Sequence, residues 1–379
     1  MALAFGSPLA AIYNCFGLGR GDTILTIKDM IIATNPVQLR RQARKWAQAE
    51  LARRAGISRA AVSAIEGERL SPSVATALAL AAVLECSVEE LFGQPAPAVS
   101  GATDWAWRSR ASVCRYWEAS VSGRRWLYPV EAMTLNPLPH DGLWQDGILR
   151  ASGPDVAEHT LVMASCDPAA GLLAAEYARA SGFRLLVFPR GGRAALELLR
   201  QRLVHVAGLH YSTAEQPGRN AELVRTQMTG GTRLLRLATW ESGVALAPDD
   251  QSRTVESVAR RSVHWAARES GSAARECLDR LLGRRKFNGR EVSGHAAVAE
   301  AVRSGWAGAG VCVRFSAEEA GLNFLPVRTE TLDLCFPAAL QNDPRILALV
   351  RLLRARSCRR LLSELPGYQA RDTGDIQTL

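Results

Sequence analysis

The sequence predicts a multidomain protein, an all-α unit followed by an α/β unit, on three observations. Apolar residues recur at helical spacing from about Gln38 to Phe92. The stretch Gln94-Pro95-Ala96-Pro97-Ala98-Val99-Ser100-Gly101 then reads as a linker. From Leu161 onwards, short apolar strands alternate with helices, the pattern of a parallel α/β sheet. A chain of 379 residues is long for one compact domain, so two or three units are expected.

Composition narrows the class. Hydrophobic residues make up 47% and charged residues 22%, ordinary values for a globular protein with a sizeable core. The net charge of +9 favours a polyanionic partner, although an arginine excess of this kind also follows from a GC-rich genome. Eight cysteines are scattered without a CxxC pair or companion histidine spacing, so neither a disulfide framework nor a zinc signature is present, and a reducing cytoplasm is expected. No apolar run approaches the roughly 20 residues of a membrane span. Residues 1–34 lack the basic start, apolar core and cleavage site of a signal peptide, and Met30 is an alternative start of translation.

The elements follow in order. The helical unit is assigned residues 35–94 and the linker 95–110. A β-rich connector, 111–158, opens with a hairpin turning at Ser122-Gly123 and continues as a loop to Asp155. Strands are then expected at Leu161–Ser165, Phe183–Phe188, Leu203–Leu209, Val263–Ala267, Gly308–Val313, Leu322–Val327 and Leu332–Phe336. Helices are expected at Pro168–Ala180, Arg193–Gln201, Ser272–Leu282, His295–Arg303 and Pro344–Leu365. This α/β unit is assigned 159–366, and residues 367–379 are expected to fray as a polar tail.

The strongest local signal runs from Gln48 to Glu66. Leu51 and Ala55 share one helix face, and the small Ala52 permits a close crossing. Gly56 supplies the left-handed turn, Ser58 caps the next helix, and Val62 and Ile65 face back to the first. Two helices joined by a short glycine turn are the DNA-binding unit. The stretch from Gln38 to Phe92 closely resembles the lambda-repressor-like (Cro/XRE) helix-turn-helix family, which implies a five-helix domain binding double-stranded DNA, expected as a homodimer on a palindromic operator. Carried over by position, Ser58, Arg59, Ala60, Ser63 and Ala64 lie on the helix that enters the major groove. Arg59 suits a guanine and the alanines suit thymine methyls. Gln48 is placed on a phosphate at a helix N-terminus, while Arg41 and Glu66 are placed in an internal salt bridge.

The segment from Leu161 resembles the type II periplasmic-binding-protein fold, in particular the molybdate-binding-like domain fused to such regulators. The resemblance rests on Ser165-Cys166-Asp167-Pro168, Leu203 to His210, Arg268 to Arg275, Ser293 to Ala299 and Gly321 to Pro326. It implies two lobes with a ligand between them. Most of these loops end a strand or open a helix, where free N–H groups and the dipole favour an anion. Candidate ligand residues are Ser165, Cys166, Asp167, Gly192, Arg193, Trp240, Ser270, Gly271, Ser272, Arg275 and His295. Ser165 and Ser272 read equally as helix caps, Arg275 as an inter-element salt bridge, and His205, His210 and His295 as structural histidines.

The loop Pro189-Arg190-Gly191-Gly192-Arg193 lacks the hydroxyls expected of a molybdate or tungstate site, so Arg190 or Arg193 is offered to a carboxylate or larger anion. The expected protein is a cytoplasmic, ligand-responsive transcriptional regulator sensing a small oxyanion or carboxylate. No catalytic residue, metal ligand or cofactor is assigned and no membrane partner is expected, since spacing fixes no base for Cys166. Two alternatives remain: an enzyme built on the α/β unit with an autoregulatory helix-turn-helix, and a solute-binding protein.

Overall fold

The computed structural model describes residues 35–67, 69–92, 104–109, 111–131, 139–145 and 147–379. The N-terminal extension with Met30, and most of the expected linker, lie outside these residues. The chain divides into two compact units, residues 1–97 and 98–379.

Among the described residues, the first unit contains five helices: α1 (Pro36–Ala43), α2 (Gln48–Ala55), α3 (Arg59–Glu66), α4 (Val74–Val83) and α5 (Val88–Phe92). Asn35 accepts from the Val37 N–H to cap α1, and its amide donates to the Ile65 carbonyl at 3.0 Å. Helix α2 ends on Gly56 at φ 65°, where a side chain would be strained. The Ser58 hydroxyl accepts from the Ala61 N–H at 3.1 Å to start α3. Val37, Leu51, Ala52, Val62, Ile65, Leu80 and Leu84 form the core of this unit.

The second unit opens with a five-stranded sheet in the order β1-β3-β2-β4-β5. Its strands are β1 (Asp104–Trp105), β2 (Val113–Val121), β3 (Arg124–Pro129), β4 (Gly142–Gln145) and β5 (Ile148–Ala151). The hairpin turns at Ser122 and Gly123, with φ of 53° and 75°, the two-residue turn that suits strand twist. Two features depart from the sequence expectation. Asp104–Trp105, inside the expected linker, pairs in parallel with β3, and the expected loop before Asp155 holds the β4–β5 hairpin. Strands of two and four residues carry too little periodicity to be read. Gly142 sits where a Cβ would lie 2.3 Å from the Tyr116 hydroxyl, so its glycine marks close packing rather than a loop. The sheet is no separate spacer: Trp117 and Tyr128 are buried with Phe188 and Leu186 of the α/β layer.

The α/β layer then runs β6 (Thr160–Ala164), α6 (Ala170–Ser181), β7 (Arg184–Phe188), α7 (Gly192–Arg200), β8 (Val206–Thr213), α8 (Arg219–Gln227) and β9 (Thr232–Leu246). It continues through α9 (Val255–Arg260), β10 (Trp265–Ala267), α10 (Ala273–Leu282), β11 (Gly289–Glu291), α11 (His295–Arg303), β12 (Ala309–Val313), α12 (Arg314–Glu319) and β13 (Asn323–Pro337). Helices α13 (Pro344–Arg354) and α14 (Arg356–Ser363) follow, then β14 (Tyr368–Gln369) and β15 (Ile376–Thr378).

Strand order β11-β10-β12-β9-β13-β8-β6-β7 separates two halves. One half is β6, β7 and β8; the other is β10, β11 and β12. The β9–β13 antiparallel ribbon, 15 residues in each strand, belongs to both. The sheet is therefore mixed rather than parallel throughout, because the ribbon pairs antiparallel with β8 and β12. Leu322–Val327 and Leu332–Phe336, expected as two strands, are the two ends of β13. The tail does not fray. Strands β14 and β15 pair with β9, and Tyr368 and Thr373 are buried. Its polar composition hides this, since two or three residues per strand are held by an edge that the rest of the chain supplies. Among the described residues, no helix is long and apolar enough to cross a membrane.

Candidate ligand site and DNA-facing helix

The carboxyl ends of β6, β7 and β10 point to one place, where they meet β8 and the ribbon. Glycines let the loops close together. A Cβ on Gly208 would lie 2.4 Å from the Ser165 hydroxyl oxygen, and one on Gly192 would lie 2.7 Å from the Tyr211 ring.

At the centre the Cys166 sulfur lies 3.0 Å from His210 Nε2. On its other side His210 Nδ1 lies 2.7 Å from Glu330 Oε2. Trp240 Nε1 donates to the same oxygen at 3.0 Å, and Arg328 Nε donates to Glu330 Oε1 at 2.7 Å. Arg268 is 3% exposed, neighbours Cys166, and forks onto Glu269 at 2.9 and 2.8 Å. Asp167 accepts from the Tyr368 hydroxyl at 2.6 Å, so the tail reaches the site. His295, at the start of α11, is 1% exposed, and among the described residues neither ring nitrogen has a partner. Its ring centroid lies 5.7 Å from that of His210.

The charges sort themselves by contact. Burial pushes the Cys166 thiol up, but the positive His210 and Arg268 outweigh it and hold the thiol below its ordinary value. Burial pushes His210 down, yet Cys166 and Glu330 reverse this and raise it. Glu330, opposed by burial, is held at about 2 by His210, Arg328 and Trp240. His295 is driven well below the imidazole range by burial, then by the charges of Arg268 and His210, so it is neutral. The contacts run from the Cys166 thiol through His210 to the Glu330 carboxylate, with the neutral imidazole of His295 beside them.

The expected ligand residues divide on this geometry. Ser165, Cys166, Asp167, Trp240 and His295 are buried in the site. Gly192 and Gly271 form its wall, with the Tyr211 hydroxyl donating to the Gly271 carbonyl at 2.9 Å. Ser272 acts as a cap: its hydroxyl accepts from the Arg275 N–H at 3.2 Å and donates to the Glu269 carbonyl at 2.8 Å. Arg193 stacks on Tyr211 at the rim, and Ser270 is exposed. Arg275 turns away to Asp279 and Glu291 at 2.8 Å each, the inter-element salt bridge that its sequence also allowed. Arg190 forks onto Glu131. His205 is structural, bonded to the Val162 N–H and the Ser120 carbonyl. His210, read as structural from its apolar strand, is central. Glu330, Arg328, Arg268 and Tyr368 were missed, although Arg268-Glu269 directly after an apolar strand was a visible signal.

In the helical unit, Arg59 and Ala60 are exposed on α3, with Ser63 and Ala64 half-exposed beside them. Ser58 is the cap of that helix. Arg41 forks onto Glu66 at 2.6 and 3.0 Å, as the family resemblance implied. The Gln48 side chain, expected at a phosphate, instead donates to Glu66 at 2.9 Å.

Residues 37–91 match the family model described as helix-turn-helix, and residues 174–354 match the PBP superfamily domain. An uncharacterized protein of Bacillus subtilis (strain 168), YvgK, is 27% identical over 181 residues. The match covers 45% of this chain and 58% of that relative, so the chain spans under two thirds of its length. Among solved structures, the tungstate-binding protein TupA from Desulfovibrio alaskensis G20 is 13% identical, with TM-score 0.38 over 55% of this chain and 98% of that one. The regulatory domain of MetR, a LysR family regulator from N. meningitidis, is 13% identical, with TM-score 0.39 and coverage of 55% and 98%. Likeness at this level fixes no ligand. The chain thus joins a DNA-binding helix-turn-helix domain of the Cro/XRE type, residues 37–91, to a ligand-binding domain of the PBP superfamily, residues 174–354.

Proposed function

We propose that the protein is a non-enzymatic, cytoplasmic, one-component transcriptional regulator. It binds a palindromic operator as a homodimer through α3, and its PBP-like domain takes a small carboxylate between the two halves. The union of the two domains in one chain carries the regulator reading.

The placement of Glu269 supports a carboxylate. Its side chain, 43% exposed, forks onto the buried Arg268 and lies over the start of α7, where a Cβ on Gly191 would be 2.3 Å from Oε1. The Glu269 carboxylate occupies the position that a ligand carboxylate would take, between a guanidinium and a helix N-terminus. A dianion such as molybdate has less cationic charge to meet it, since Arg268 and Arg328 already face Glu269 and Glu330. The test is thermal shift across small carboxylates, molybdate and tungstate, run beside gel shift on the operator. Carboxylates are expected to raise the melting temperature and change operator affinity, and Glu269→Ala is expected to tighten their binding. A panel in which no ligand does either sinks the sensor reading.

A second reading, a thiol nucleophile, is favoured by the in-line Cys166, His210 and Glu330 alone. It predicts turnover of an activated ester that Cys166→Ala abolishes.

A further inference from the structure

The helix-turn-helix, Glu269 and the Cys166–His210 pair leave one group unused. His295 is buried to 1% exposure with both ring nitrogens lacking a partner among the described residues. Enclosing an imidazole and leaving it unbonded costs about 1–3 kcal/mol per polar atom, so such a group calls for an occupant. The nucleophile reading gives it none.

We propose that Cys166, His210 and His295 form a binding site for a single zinc-class divalent cation. One ligand atom from each lies within 4.8 Å of the other two. Tetrahedral zinc takes sulfur at about 2.3 Å and imidazole nitrogen at about 2.0–2.1 Å, which sets ligand atoms about 3.3–3.6 Å apart. Cys166 Sγ and His210 Nε2 are 3.0 Å apart, so small side-chain rotations bring all three onto one ion. The metal replaces the proton that the sulfur and Nε2 now share, and that proton leaves to solvent.

The second layer fits the same assignment. A metal-bound histidine commonly donates its other N–H to a carboxylate, which fixes the ring. Glu330 receives His210 Nδ1 at 2.7 Å and is itself held by Trp240 and Arg328. Arg268 neighbours the sulfur, but its charge is met by the Glu269 fork. Thiolate with two imidazoles selects zinc or copper over magnesium or calcium. Three protein ligands leave a fourth position open, as in sites where the metal also meets a small molecule.

The site shares the interior that the sensor reading assigns to its ligand, so the experiment separates the two. Metal-free full-length protein is titrated with Co(II), and with Zn(II) in competition, without DNA or carboxylate. One equivalent of Co(II) is expected to give a thiolate-to-cobalt charge-transfer band and the intense visible bands of a four-coordinate ion, displaced by Zn(II). Cys166→Ala is expected to remove the charge-transfer band, His295→Ala to remove one-equivalent binding, and Cys358→Ala to change nothing. Glu330→Gln should weaken binding by about 10–100-fold. If these variants do not fold, the wild-type chain still decides: Zn(II) should protect Cys166 from alkylation, located by mass spectrometry. No charge-transfer band, a band that survives Cys166→Ala, or alkylation of Cys166 indifferent to Zn(II) overturns the proposal. Metal binding with no ligand changing operator affinity upholds it and sinks only the sensor reading.

Discussion

Arg59 is exposed on the face of α3, next to Ala60, with no described acidic side chain bonded to it. Its neighbours on α2 are committed elsewhere: Arg53 and Arg54 both bond Glu50. Replacing Arg59 by alanine is expected to erase base preference while leaving helix content intact, at a cost of about 1–3 kcal/mol in discrimination. A footprint that Arg59→Ala leaves unchanged would refute the assignment. His205 gives a second residue-scale expectation. Burial, then the nearby Arg345 charge, lowers its pKa to about 4 from an ordinary value near 6.5, while its bond to the Ser120 carbonyl and the Asp343 charge oppose. The folded state holds it neutral and the unfolded state protonates it first. Stability is therefore full above about pH 6.5 and falls as pH drops towards about 4, by about 3 kcal/mol from this group. His295 acts in the same direction. The melting temperature should fall across that range for the wild type and fall less for His205→Gln.

Among the elements, the C-terminal strands have the clearest consequence. Tyr368, Ala370 and Thr373 are buried, and the Tyr368 hydroxyl bonds the buried Asp167. Removing residues 367–379 should destabilise the second unit by at least about 2 kcal/mol and uncover an edge of β9. Tyr368→Phe alone should cost about 1–3 kcal/mol, the penalty of a buried carboxyl short of one bond. Urea titrations of both variants check this, and wild-type midpoints for both would contradict it. The same strands show what the sequence hides. The helix-turn-helix was legible almost throughout because its signals are local: cap, glycine turn and apolar face fall within α2 and α3. Strand β9 was not, since nearly every position along Thr232–Leu246 is buried or half-buried and strict alternation disappears. Strand β13 read as two pieces because Arg328 and Glu330 interrupt its apolar run, and that interruption is the site. His210 was misread for a related reason. A lone histidine in an apolar strand is distinguished from a core histidine only by what faces it, and Cys166 and Glu330 arrive from distant parts of the chain.

Under the proposed function, the two domains of the whole molecule matter through their coupling. A ligand can change operator affinity only by the ratio of its affinities for the free and DNA-bound forms. Operator affinity measured at saturating carboxylate, and carboxylate affinity measured at saturating operator, should shift by the same factor. Unequal factors would mean that a third equilibrium, such as dimerisation, intervenes.

The β9–β13 ribbon limits how that coupling can be made. Each strand of 15 residues extends about 50 Å, and each lends its ends to different halves of the domain. A hydrogen-bonded pair of extended backbones resists stretching but yields to torsion, especially beside irregularities such as those at Pro326/Arg328 and Leu332/Asp333. Glu330 sits between these two points. The domain is built like a torsion bar clamped at both ends, with the buried Glu330 near its middle. Ligand occupancy would then be written as an angle rather than a distance, and spin labels on α7 and α10 would read it as a rotation.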